Sequence, residues 1–168
     1  MTCVAAIDCG TNTIKLMVAD LDHASGTSVV YEREARMVRL GEGVDRTGEL
    51  GAEALARTFA AIDEYAAIIS RHPVERIRFC ATSAARDASN GAVFAAGVRE
   101  RLGVEAEVVA GAEEAGLSFA GAVRNLREAH AEPMLVVDIG GGSTELILGT
   151  RLAGPQSAQS LNIGSVRL

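Results

Sequence analysis

Two short stretches carry the residue types that could hold an anion. Asp8-Cys9-Gly10-Thr11-Asn12-Thr13 and Asp138-Ile139-Gly140-Gly141-Gly142-Ser143-Thr144-Glu145 each set an Asp before a turn rich in Gly, Ser, Thr or Asn. Glycine admits backbone shapes that other residues resist and lets a ligand approach the main chain closely. Successive amide N–H groups in such a turn form a concave anion site, to which the hydroxyls add donors. The two stretches lie 130 positions apart (138 − 8) and each is flanked by apolar runs of strand length. A motif written twice points to two related lobes, each offering a phosphate-binding loop to a shared cleft.

Other candidates are weaker when read singly. Thr82-Ser83 and Arg86 follow a strand candidate, where α/β folds collect ligands; a helix cap and a surface charge explain them equally well. Glu113 and Glu114 open a helix whose positive end they complement, so spacing alone reads them as structural. Cys9 lies inside the first loop with no His beside it in sequence, and reads as a packed thiol. Gly41-Glu42-Gly43 has GxG without the full dinucleotide fingerprint, and an ordinary connection is the simpler reading than a flap. Arg33, Arg36 and Arg39 recur on a segment diluted by Glu32 and Glu34, which describes a solvated strand face.

The elements that must position these groups follow from periodicity and punctuation. Residues 3–9 and 14–21 form the first hairpin, a turn at His23 to Thr27 leads to a segment over 28–40, and a loop follows from Gly41 to Gly48. Leu55, Phe59, Ile62, Ala66 and Ile69 share one face of a helix over 52–71, ended by His72-Pro73. His72 reads as a cation facing that helix's C-terminal dipole. A strand over 76–81, a helix over 90–102 and a short strand at 106–109 come next. The helix opened by Ala110 is apolar at Leu117, Ala120, Gly121, Val123 and Leu126 and is expected to end near His130. Pro133 then restarts the chain into the second hairpin, with a further strand over 151–163. By internal symmetry the first lobe spans 1–130 and a truncated second lobe spans 131–168, so the chain is expected to be the N-terminal piece of a longer protein. Its open sheet edge and apolar face are expected to drive self-association into a homodimer.

Composition narrows the class. With 168 residues, 48% hydrophobic and 23% charged, the chain has material for a packed core. No apolar run reaches the length of a membrane span, and no basic segment precedes a hydrophobic one at the N-terminus. Cys3, Cys9 and Cys80 lack metal-type spacing, which fits a reducing compartment and a cytoplasmic location. A net charge of −6 argues against non-specific nucleic-acid binding, whereas phosphorylated small molecules remain open through amides, local arginines and divalent metal.

The doubled hairpin resembles the actin and sugar-kinase superfold. Four stretches go further: Asp8 to Thr13, Ala81-Thr82-Ser83-Ala84-Ala85-Arg86, Gly111-Ala112-Glu113-Glu114-Ala115, and Asp138 to Glu145. In this order they resemble the exopolyphosphatase and guanosine pentaphosphate phosphatase (Ppx/GppA) family, in wording closest to its actinobacterial exopolyphosphatase branch. That resemblance implies an α/β protein with the actin-like ATPase, ribonuclease H-like fold: a mixed five-stranded sheet with helices on both faces, and the start of a similar second lobe. It implies that Glu114 is catalytic, orienting and deprotonating the water that attacks the terminal phosphorus. Asp138, Glu145 and Asp8 would serve metal, with Mg²⁺ expected and Mn²⁺ able to replace it. Gly10, Thr11, Asn12, Thr13, Gly140, Gly141, Gly142, Ser143 and Thr144 would hold phosphate oxygens, with Arg86 adding charge.

The implied activity is Mg²⁺-dependent release of terminal phosphate from inorganic polyphosphate by a cytoplasmic hydrolase of the stringent response. Guanosine pentaphosphate (pppGpp) is the alternative substrate for the same loops. Two readings of other classes stay open: a kinase or ATPase of the same superfold, and a non-catalytic polyphosphate or alarmone sensor. Neither nucleic acid nor membrane is expected as a partner.

Overall fold

The computed structural model describes residues 1–22, 24–124, 126 and 131–166. His23, in the first expected turn, and His130, at the expected end of the last helix, lie outside the described residues. Contacts divide the chain into two compact units, Met1–Val108 and Val109–Leu168.

The first unit begins with three antiparallel strands, β1 (Thr2–Cys9), β2 (Thr13–Leu21) and β3 (Ser28–Met37). A short helix α1 (Val44–Thr47) and the long helix α2 (Ala52–Ile69) follow. β4 (Arg76–Ala81), α3 (Ser83–Asp87), α4 (Gly91–Leu102) and β5 (Ala106–Val108) complete the unit. The sheet order is β3-β2-β1-β4-β5, with β4 parallel to both β1 and β5. The mixed five-stranded sheet is thus as expected from the sequence.

Alternation along β1 buries Cys3, Ala5, Ile7 and Cys9 on one face, where they form a single core with Ile62 and Tyr65 of α2 and Phe94 and Val98 of α4. On the other face Ala6 is exposed, so within this unit α2 and α4 cover one side of the sheet. The stripe on α2 is rotated from the expected one. Leu55, Ile62 and Ile69 are buried as read, but Thr58, Tyr65 and Ile68 join them while Phe59 is only partly buried. Tyr65 explains the rotation: its ring is fully buried and its hydroxyl donates to the Ile14 carbonyl at 2.9 Å. Burial pushes the phenol up to about 12, so it remains a donor throughout the ordinary pH range. Tyr65→Phe is expected to lower unfolding stability by about 1 kcal/mol, measured by urea titration.

Two expectations about ends change. His72 lies beyond the end of α2, stacks on Tyr31 of β3 at 5.7 Å and hydrogen-bonds Glu32 at 3.0 Å, so it ties helix to sheet rather than facing the dipole. The loop after β3 contains the single turn of α1, bracketed by Gly43 and Gly48 at φ 82° and 72°. Those left-handed values explain why glycine brackets it.

The second unit consists of helix α5 (Gly111–Val123) and three antiparallel strands, β6 (Met134–Ile139), β7 (Thr144–Thr150) and β8 (Gly154–Leu161). The units part at Val108/Val109 because α5 packs on this second sheet, whereas the lobe boundary expected from the sequence lay at 130. The buried face of α5 is Ala115, Phe119 and Val123, with Leu117 exposed. A helix this rich in Ala and Gly has a shallow apolar stripe, and the one large ring, Phe119, selects the face that is buried. β6 is an edge strand, and its apolar run is not buried on both sides: Leu135, Val137 and Ile139 are exposed opposite the α5 face. An open apolar face on the second sheet was anticipated from the symmetry argument.

Candidate phosphate-binding and catalytic site

The two turns are built alike. Cys9 pairs with Ile14 and Ile139 with Thr144, so residues 10–13 and 140–143 occupy equivalent turn positions. In the first, the Gly10 amide donates to the Thr13 carbonyl at 3.0 Å; in the second, Gly140 donates to Ser143 at 2.9 Å.

What happens to the other peptide groups decides their chemistry. In each unit, a segment just past the third strand clasps the turn by its carbonyls. The Asn12 carbonyl accepts from the Val38 and Arg39 amides at 3.0 and 2.9 Å, and the Thr11 carbonyl accepts from Gly41 at 2.9 Å. Likewise the Gly140 and Gly141 carbonyls accept from the Ser165 and Val166 amides, each at 2.9 Å. The amides of Thr11, Asn12 and Gly141 donate no hydrogen bond among the described residues. A residue's carbonyl and the next residue's N–H point opposite ways, so tying the Thr11 and Gly140 carbonyls behind the turns presents the Asn12 and Gly141 N–H groups in front, as an anion requires. Neither clasp was legible in sequence. Its only trace is glycine: a Cβ on Gly41 would lie 2.3 Å from the Thr11 methyl, and one on Gly164 would lie 2.5 Å from the Gly141 carbonyl group.

The first unit gathers three of the singled-out groups. β4 runs parallel beside β1 with Ala81 against Cys9, which carries Thr82 and Ser83 to the first turn. The Thr82 amide donates to the Cys9 carbonyl at 3.1 Å, and the Ser83 and Thr11 hydroxyls are 2.9 Å apart. Thr82 makes no side-chain cap on α3, so the helix-cap explanation of this pair is not realised. Arg86 is exposed on α3, with the Asp87 carboxylate 3.9 Å away. Asp8 forms an ion pair with Lys15, its cross-strand neighbour, at 3.1 Å. Cys9 is 1% exposed. Burial, and then the Asp8 charge, push its thiol well above the usual range, which bears out an inert thiol.

The second unit holds the three acids. Asp138 and Glu145 are direct cross-strand partners, the positions equivalent to Asp8 and Lys15. Where the first hairpin has a carboxylate facing an ammonium, the second has two carboxylates, an arrangement that destabilises a sheet unless it is neutralised. Both sit on the face covered by α5 and are held by serines that sequence reasoning missed. Ser118 of α5 donates to Asp138, and Ser160 of β8 donates to Glu145 at 2.8 Å. Glu145 is only 2% exposed. Glu114 precedes Ser118 by one helical turn, so both lie on the same face of α5. The signal for Ser118 was therefore available as a hydroxyl four residues after the glutamate. Thr144 turns its hydroxyl to the Ile163 carbonyl at 2.6 Å, so it serves the clasp. No cluster of three or more His, Cys, Asp or Glu able to hold a metal occurs among the described residues. Asp8 belongs to one unit, and Asp138 and Glu145 to the other.

The profile of the Ppx/GppA phosphatase family matches residues 17–168. The chain belongs to the Ppx/GppA phosphatase family. Among curated members, Exopolyphosphatase 2 of Mycobacterium tuberculosis is 49% identical over 175 residues, covering all of this chain and 54% of the relative. Among solved structures, an exopolyphosphatase-like protein superposes with a TM-score of 0.90 at 47% identity, over 99% of this chain and 52% of that one. An exopolyphosphatase from Cytophaga hutchinsonii gives 0.87 at 32% identity, over 99% and 52%. The chain thus spans about half the length of the Ppx/GppA relatives it matches. At 17% identity, the ethanolamine utilization protein EutJ of Carboxydothermus hydrogenoformans shares the fold alone, with a TM-score of 0.54. The architecture is the actin-like ATPase fold, and the family resemblance carried by the four sequence stretches is borne out. No helix among the described residues is long and apolar enough to cross a membrane.

Proposed function

We propose that this chain carries phosphate-binding and water-activating parts of an exopolyphosphatase, which releases terminal orthophosphate from inorganic polyphosphate in the cytoplasm. The single observation that carries this reading is the twice-built turn, with carbonyls clasped behind and amides presented in front. Such turns suit a polyanion whose charge is spread over many equivalent oxygens. The names of the Mycobacterium and Cytophaga relatives support polyphosphate as the substrate.

Hydrolysis of a phosphoanhydride is mainly a matter of aligning water and offsetting negative charge. In this mechanism the amides and hydroxyls of residues 10–13 and 140–143, with Arg86, hold phosphate oxygens. Glu114 accepts a proton from the water whose oxygen bonds to the terminal phosphorus. The bridging P–O bond breaks, and its electron pair stays on the shortened chain. Ser118 and Ser160 hold the Asp138 and Glu145 carboxylates in place.

Two facing carboxylates with hydroxyls beside them are an oxygen donor set that fits Mg²⁺, which takes one or two carboxylates and fills its shell with water and phosphate. Asp138 and Glu145 would hold the ion. When bound, Mg²⁺ offsets charge on the phosphate oxygens. The test is orthophosphate release from long-chain polyphosphate, and separately from guanosine pentaphosphate, by a protein of the relatives' full length that carries this chain. Release from polyphosphate with Mg²⁺, abolished by EDTA, is expected. Binding without any release would favour the sensor reading, and faster release from guanosine pentaphosphate would favour the alarmone substrate.

A further inference from the structure

By composition, residues 41–48 are an ordinary connection, and Arg39, at the end of the segment before it, is one more charge on a solvated strand. We propose that Arg39 is a further phosphate-gripping residue of the first turn, placing its guanidinium on an anion held by the Thr11 and Asn12 amides. The inference rests on the phosphate-binding reading of residues 10–13 and adds a residue to it.

Four observations converge on Arg39. Its φ is 50°, and it is the one non-glycine residue with positive φ among those described. An L side chain is disfavoured there, and such positions persist where the surroundings over-determine them and gather at ligand clamps. Glycine would fit without strain, and packing does not ask for Arg, because the side chain is exposed. Second, the Arg39 amide is bonded to the Asn12 carbonyl at 2.9 Å, so its Cα is tied to the turn itself.

Third, the segment is fixed from behind by α2. Arg57 donates to the Val38 carbonyl at 3.0 Å and to the Glu42 carboxylate at 2.6 Å. That clamp sets the segment's position and also takes up the acid nearest in sequence to Arg39. Fourth, the Arg39 guanidinium makes no ion pair or hydrogen bond among the described residues, whereas Arg36 is taken up by Glu34 and Glu64. A planar, permanently charged fork that matches phosphate oxygens in pairs is thereby carried by a residue whose backbone is tied to the turn.

The experiment titrates the chain with inorganic tripolyphosphate by calorimetry and follows melting for Arg39→Gly, Arg39→Lys and the distant exposed Arg71→Ala. Arg39→Gly relieves the backbone and is expected to raise Tm by about 3 °C. At the same time it should weaken tripolyphosphate binding about tenfold and flatten its salt dependence. Arg39→Lys keeps the charge and should fall between, and Arg71→Ala should bind like the parent chain. A higher Tm with unchanged affinity in Arg39→Gly overturns the inference and leaves the phosphate-binding reading standing. An equal loss in Arg71→Ala also overturns it, since bulk charge would then account for the effect. Absence of saturable tripolyphosphate binding by the unmodified chain overturns both.

Discussion

Glu114→Gln, in a protein of the relatives' full length, is expected to bind polyphosphate about as tightly as its parent. It should release phosphate slower by about a hundredfold to ten-thousandfold, the range over which a positioned base contributes. The amide keeps the size of the side chain and its place in the first turn of α5, where the residue 114 amide already bonds the Ala110 carbonyl at 2.9 Å. It loses the ability to take a proton from water. In the proposed mechanism the anion is held by backbone amides and hydroxyls, so affinity should survive while turnover does not. Equilibrium binding and single-turnover phosphate release separate the two quantities. Turnover within threefold of the parent would remove Glu114 from the mechanism, whereas parallel loss of binding and turnover would make it a binding residue.

The largest structural effect is expected at a glycine with no part in the chemistry. A Cβ on Gly149 would lie 2.4 Å from the Gly154 carbonyl oxygen and 2.8 Å from the Phe119 ring. The first neighbour is backbone, at the turn where the β7–β8 register shifts, and the second is the ring that anchors α5 to the sheet. Neither gives way cheaply, so Gly149→Ala should cost about 3 kcal/mol. That is a large share of a typical total stability of about 5–15 kcal/mol. Hydrogen exchange should show the loss in the amides of β6, β7 and β8. Gly116→Ala on α5 is the matched control: a Cβ there meets nothing within 4 Å, and helix propensity predicts a gain of up to about 1 kcal/mol. Equal behaviour of the two variants would refute the close-approach argument.

Much of this was legible from residue order. Apolar runs bounded by turn residues located the long strands, and a 3.6-residue repeat located α2, because a helix that buries one face must repeat its apolar residues at its own period. The doubled Asp–turn motif marked two equivalent hairpin turns, and the equivalence holds down to one backbone hydrogen bond in each copy. Less was legible where several small residues could face inward. On α5, Ala, Gly and Leu offered competing stripes, and the buried one was chosen by Phe119 and by the sheet against which it packs.

The sequence by itself determined the family, the element order and the positions of the two turns, because each rests on local spacing that survives any arrangement of the rest. Tertiary structure decided which groups meet. It put Ser118 on Asp138 and Ser160 on Glu145, and brought residues 38–41 behind the first turn. Those partners are separated along the chain by loops and whole strands, so no local pattern encodes them; sheet register and helix docking bring them together.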